Sequence, residues 1–433
     1  MTLVLSELRW LRFGAFSAFY FAQGVPIGLL AFAMPAWLAE QQASVSEIAL
    51  FTSVVSIPWA FKLVAGPFMD RLTFLPMGFR RPWVLFAQAG LTLCLVAVAL
   101  TPFDAGALGS LVVVGFATNA FAATQDVAVD GMAIDVLPVD ERGRANAFMA
   151  FGQVAGSSSF GALCGTLLPV VGLKQTASVC AATVAVIFVF VALVRERPGE
   201  RLLPWTAGEA TQRLEATSLR VVDNFRDLFR VLALPMSLLL VAASFAYFLR
   251  GGLVTPVFAA FAVQDLGLST AEYSGFISVL SIAAAVVGVA LGPFIDRFGA
   301  RRFLIGALII GAVSHFIGGL LADRTSDLVA FGAVAAVVYL VGQVVFITVI
   351  ALFMNLCWTK VAATQFAVYM ALANVGIATG GLLFVPFADH LTFGQDFHIM
   401  AGLFVLSAFG LRFFQEGAHS QRLEELRARA AQV

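Results

Sequence analysis

Charge is what this chain has least of. Only 12% of its 433 residues are Asp, Glu, Lys or Arg, where a soluble domain carries roughly 25%. A soluble globular fold is excluded on that ground. The 26 acidic and 26 basic residues cancel, so nothing suggests a nucleic-acid partner. Cysteine is also sparse. Cys94, Cys164, Cys180 and Cys357 each lie in an apolar run without metal-ligand spacing, which excludes a disulfide framework and a structural metal site. No phosphate-cradling Gly-rich loop and no nucleophile–base arrangement is present. An ATP-driven pump and an enzyme are therefore not expected, and neither is a cofactor. A cleaved leader is not expected either, because the apolar run after Arg9 and Arg12 is longer than a signal peptide's core.

What is present is apolar length. Hydrophobic residues make up 60% of the chain, 42 of them Phe, and mean hydropathy is +0.93. Windows of about 20 apolar residues, each enough to cross a bilayer as a helix, fall near 13–38, 46–69, 83–102, 109–137, 144–170 and 175–194. Six more fall near 235–261, 271–295, 302–322, 328–357, 361–387 and 397–415. The expectation is an all-α polytopic membrane protein with twelve spans. It divides into a six-helix bundle over 1–194, a linker over 195–234, and a second six-helix bundle with a tail over 235–433.

Lys and Arg set the orientation. With a cytoplasmic N-terminus, all but four of the 26 basic residues fall on the inside; Lys174 and Arg324 lie outside, and Lys62 and Arg250 lie within spans. Both termini are then cytoplasmic. The Arg-rich linker reads either as an interfacial helix on an anionic leaflet or as a solvated hinge between halves.

The halves repeat each other. Gly66-Pro67-Phe68-Met69-Asp70-Arg71 closes the second span, and Gly292-Pro293-Phe294-Ile295-Asp296-Arg297 closes the eighth. Paired arginines follow each, Arg80-Arg81 and Arg301-Arg302. Ser17, Tyr20, Gln23 and Gly24 in the first span correspond to Ser244, Tyr247, Arg250 and Gly251 in the seventh. Parallel halves of six spans are the architecture of major facilitator transporters, and the Gly-Pro-Phe-[Met/Ile]-Asp-Arg motif resembles their loop signature.

A narrower resemblance lies in the first half. Phe61-Lys62 to Asp70-Arg71, Gln125-Asp126 through Asp130 to Asp135-Val136-Leu137-Pro138, and Glu141-Arg142-Gly143 resemble the AmpG-like branch. That branch includes muropeptide permeases and, more distantly, is similar to acetyl-CoA transporters. Two departures matter. Met132-Ala133 stands where muropeptide permeases carry Trp-Lys, and Val154 stands where an arginine is expected. Losing two cations leans away from an anionic amino-sugar peptide.

The chemistry concentrates at residues 123–135, where Asp126, Asp130 and Asp135 interrupt an apolar run. A carboxylate at mid-membrane costs about 3 kcal/mol, so these should face protein or water. Asp126 and Asp130 share one helix face. Two carboxylates one turn apart in low dielectric cannot both ionise cheaply, and such a pair suits proton loading and release. The other reading is a structural polar knot held by Gln125 and Asn119. Counting residues from the span ends puts Lys62 level with Asp130, so a Lys62–Asp130 pair is geometrically open, as a switch or as permanent architecture.

Arg250, before Gly251-Gly252 and Pro256, is expensive at mid-span unless it faces a cavity or a buried partner. Its repeat mate Gln23, with Tyr20, Tyr247 and Gln125, completes the expected cavity lining. Asp70, Arg71, Asp296 and Arg297 are read as gating and topology elements, as is the Glu141-Arg142-Gly143 turn. His315 reads as a core histidine. Asn146, Gln153, Gln365 and Asn374 are interhelical glue or cavity donors.

The expected function is a proton-coupled secondary transporter of an organic solute, in the bacterial inner membrane, working as a monomer by alternating access. By resemblance the solute is a muropeptide, a siderophore or an acyl-CoA-like molecule. The alternative is a non-transporting assembly or sensing factor on a transporter scaffold. Partners are the small-molecule solute, protons and the lipid bilayer.

Overall fold

Apolar runs of this length become helices because hydrocarbon leaves each backbone N–H and C=O to find a partner within its own segment. The computed structural model of the chain describes residues 3–72, 74–101, 108–208, 221–322, 327–358 and 361–430. Among the described residues, ten helices are long and apolar enough to cross a membrane. One of these, Arg142–Leu193, is two spans. Gly172 within it has φ 80° and ψ 175°, a backbone that glycine adopts without a Cβ clash. The chain turns back there, which brings the sulfurs of Cys164 and Cys180 to 3.5 Å as free thiols. The second span is discontinuous: Val45–Phe61 ends in a 3-10 turn at Ile57–Phe61, and Lys62–Arg71 continues it. Pro58 in that turn lacks the N–H that a regular helix needs. Counted this way, the twelve expected spans are all present.

The first span is Arg9–Glu40, the third Arg81–Leu100 and the fourth Leu108–Val136. The seventh is Pro235–Asp265, the eighth Thr270–Phe298, the ninth Ala300–Ala322, the tenth Leu328–Leu356, the eleventh Ala362–Ala388 and the twelfth Phe393–Arg412. Helices Val221–Leu232 and Glu416–Ala430 lie outside the spans.

Packing repeats between the halves as the sequence does. The first span lies against the fifth at backbone distance: a Cβ on Gly24 would stand 2.6 Å from Gln153 O and Ser157 N. The seventh lies against the eleventh in the same way, with a Cβ on Gly252 2.3 Å from Gly381 N. Small residues are what let membrane helices approach this closely. Across the halves, the fifth span meets the eighth and the second meets the eleventh.

The two faces of the bundle differ. On the face away from the termini, polar ties join the halves. The Ser46 N–H and hydroxyl donate to Asp389 at 3.0 and 2.5 Å, Gln264 donates to Ala39 O and Ala43 O at 3.1 and 2.8 Å, and Thr270 bonds Glu40. On the terminal face, each half ties itself. Arg12 donates twice to Glu141 Oε2, at 2.7 and 2.9 Å, and Leu3–Val4 pairs with Val194–Arg195. Buried Glu196 accepts the N–H groups of Phe79, Arg80 and Arg81, docking the start of the linker onto the loop after the second span. Residues 209–220 of the linker lie outside the described residues. So do the side chains of Asp70, Arg71 and Asp296; Arg297 is exposed, its guanidinium 5.4 Å from the Phe298 ring.

Candidate functional site

The fourth span places Asp126 and Asp130 one turn apart, facing the first and second spans. Asp126 is 7% exposed. Its Oδ1 accepts the Gln23 amide at 2.6 Å, and its Oδ2 is ion-paired with Lys62. Lys62 is the first residue after the 3-10 turn, and its ammonium lies 4.3 Å from the Trp59 ring centroid. Asp130, in contrast, is exposed and accepts the Tyr20 hydroxyl at 2.5 Å.

Lys62 thus pairs with Asp126 and not with Asp130, which depth counting had matched to it. Depth fixes height only; helix rotation decides which carboxylate the ammonium meets, and Tyr20 bonds one oxygen of Asp130. The polar knot around Gln125 and Asn119 is not the arrangement found either. Gln125 donates to Phe19 O at 2.6 Å and Asn119 to Val55 O at 2.7 Å, so both fasten neighbouring spans and neither touches the aspartates.

A further hydrogen bond reaches the fifth span. Gln153 donates to Gln23 Oε1 at 3.0 Å while Gln23 donates onward to Asp126. The glycine contacts between the first and fifth spans hold these two amides in register. Gln153 also lines two cavities. One, of about 410 Å3, has Thr52, Ser56, Trp59, Asn119 and Asn374 among its lining residues. The other, of about 1030 Å3, runs from mid-span toward the terminal face between the fifth, seventh, eighth and tenth spans, with Ala147, Arg250, Val289 and Ile347 in its walls. The amide pair therefore joins cavity to carboxylate. Gln153→Leu would leave Gln23 Oε1 without its donor. It is expected to lower gradient-driven accumulation about 10-fold, a typical coupling free energy, while solute counterflow without a gradient stays within about twofold of wild type. An equal loss in both assays would mark Gln153 as structural only.

Of the expected cavity residues, Arg250 lines the larger cavity. Tyr247 stands behind it, its ring centroid 4.9 Å from the Arg250 guanidinium. Tyr20, Gln23 and Gln125 stand back from it. His315 is buried, with Nδ1 2.8 Å from Gly311 O, in keeping with a core histidine. Asn374 donates to Trp59 O at 3.2 Å, across the halves, and Gln365 ties Leu356 O to Tyr369. Trp59, and Tyr339 in the wall of the larger cavity, were not singled out by the sequence. The proline beside Trp59 was the available signal for the first; nothing marked Tyr339. Among the described residues, no group of three or more His, Cys, Asp or Glu could hold a metal ion.

Similarity to known proteins bears on the family and the fold. The sequence model of the Major Facilitator Superfamily matches residues 16–380 and, again, 239–432. The anhydromuropeptide permease of Escherichia coli strain K12 is 29% identical over 364 residues, covering 82% of this chain and 70% of its own. The Rickettsia conorii transporter AmpG 4 is 24% identical over 379 residues, with 81% and 84% covered. Two solved structures share the fold: the nucleoside transporter NupG (TM-score 0.71, 12% identity, 93% and 99% covered) and a D-xylose–proton symporter (TM-score 0.71, 13% identity, 93% and 97% covered).

Proposed function

Because the chain belongs to the Major Facilitator Superfamily, among its AmpG-like permeases, we propose that it moves an organic solute across the bacterial inner membrane in exchange for or together with protons, with both termini in the cytoplasm. The observation that carries the reading is the pairing of a buried Asp126 with Lys62 beside an accessible Asp130. A buried ion pair holds spans together only while both partners are charged. Asp130 takes the proton from water and Asp126 receives it in turn. Lys62 then loses its counter-ion, and the break at Ile57–Phe61 lets Lys62–Arg71 swing relative to Val45–Ser56. Solute occupancy enters through the Gln153–Gln23 pair. Opening the far face requires breaking the Ser46–Asp389, Gln264–Ala43 and Thr270–Glu40 ties, which are few and short-range. Arg297 and the glycine-proline motifs bound the opposite gate.

The test begins with thermal unfolding of the purified protein across muropeptides, siderophores and acyl-CoA-like molecules, since a ligand of the folded state raises its stability. A stabilising solute is then offered to proteoliposomes carrying a pH gradient. Accumulation that vanishes when a protonophore collapses the gradient is the expected result. Entry indifferent to the protonophore would reject proton coupling, and the absence of any stabilising solute would favour a non-transporting scaffold.

A further inference from the structure

Among the described residues, Arg250 is the sole charged one in the wall of the 1030 Å3 cavity, and it is 6% exposed. Its Nη2 makes one long contact, 3.5 Å to the Tyr247 hydroxyl, while Nε and Nη1 have no hydrogen-bond partner. Among the described residues no carboxylate lies within ion-pair distance of it. Its guanidinium is held between two aromatic rings, 4.9 Å from the centroids of Tyr247 and Phe404. An arginine at mid-membrane without a counter-ion is costly, and stacking on rings recovers only part of that cost. The missing element is an anion.

The rest of the wall says what kind. Phe32, Val154, Ile282, Val286, Val338 and Phe346 give it an apolar face. Polar groups are few: Gln153, Ser157, Ser281, Tyr339 and Gln343. A sugar or peptide with a polar group on every side would leave many hydrogen bonds unmade against such a wall, each a penalty on binding. A ligand with one charged end and a bulky apolar body meets every requirement at once. The cavity is large enough for it, since pockets for drug-sized ligands measure roughly 300–1000 Å3.

We propose that the cavity takes an amphipathic organic anion, its carboxylate or equivalent acidic group on Arg250 and its apolar body along the fifth, eighth and tenth spans. This names a substrate class for the transport reading above and rests on it, yet it concerns binding alone and does not require proton coupling.

The test uses the full-length protein in lipid nanodiscs, with a dansylated undecanoate as the probe and its methyl ester as the uncharged control. Empty nanodiscs give the background from partition into lipid. Saturable emission above that background is expected for the carboxylate, with the ester at least ~10-fold weaker, as loss of a charge-assisted contact implies. Arg250→Gln should weaken carboxylate binding to the ester's level, and Arg250→Lys should retain part of it. Binding is read with no pH gradient imposed, so failed coupling and failed binding separate. Equal binding of ester and carboxylate by wild type, a comparison independent of whether Arg250→Gln folds, would overturn the proposal. Displacement of the probe by an N-acetylated disaccharide at lower concentration than by free undecanoate would also overturn it.

Discussion

Asp126→Asn is expected to lower pH-gradient-driven accumulation on the order of 100-fold, near the upper end of ordinary coupling free energies, with counterflow of the same solute retained. The asparagine keeps the size of the side chain and an oxygen for the Gln23 amide, which donates to Asp126 at 2.6 Å. What it removes is the charge that holds Lys62 and the site that accepts a proton. The companion experiment separates architecture from switch. Lys62→Met leaves Asp126, 7% exposed, without its cation. Removing one partner of a buried pair costs about 3–5 kcal/mol. Since the Lys62 side chain is 28% exposed, a loss of about 2 kcal/mol is the better expectation. Lys62→Met combined with Asp126→Asn removes both charges and should unfold at a higher temperature than Lys62→Met alone, yet remain uncoupled. If the double variant were the less stable of the two, the pair would not be a charge-compensated switch.

The second large effect lies in packing. Gly156→Leu should abolish folded protein, seen as loss of the monodisperse peak in size exclusion. A Cβ at Gly156 would meet Phe21 O at 2.4 Å and Gly24 Cα at 3.1 Å. These are backbone atoms, so no rotamer change relieves the clash. Overpacking that side chains can absorb costs about 1–3 kcal/mol; here the first and fifth spans must separate, taking the Gln23–Gln153 contact with them. Gly402→Ala is the control, since a Cβ there meets nothing within 4 Å. It should fold and transport normally.

The fold was legible because bilayer thickness imposes a length on every span and the sequence repeats its own punctuation at Gly66 and Gly292. The site was legible in its residues but less so in its pairings. Asp126, Asp130, Lys62 and Arg250 stand out because a charge in an apolar run is conspicuous in one dimension. Which carboxylate meets Lys62 depends on helix rotation and on Tyr20 claiming Asp130, and neither is written in spacing. Gln153 was ambiguous for the same reason: its contact with Gln23 follows from glycines on two distant stretches meeting backbone to backbone. The apolar character of the cavity around Arg250 needed four spans assembled before it existed at all. The break at Ile57–Phe61 was hinted at by Pro58, while the positive φ of Gly172 marks a turn that hydropathy located to within a few residues.

The most direct measurement follows pH inside proteoliposomes while a stabilising solute enters down its own gradient, with no imposed pH difference. Internal pH changing in step with solute entry for wild type, and staying flat for Asp126→Asn, is the predicted result. Solute entering wild-type vesicles at full rate with no change in internal pH would contradict proton coupling through Asp126.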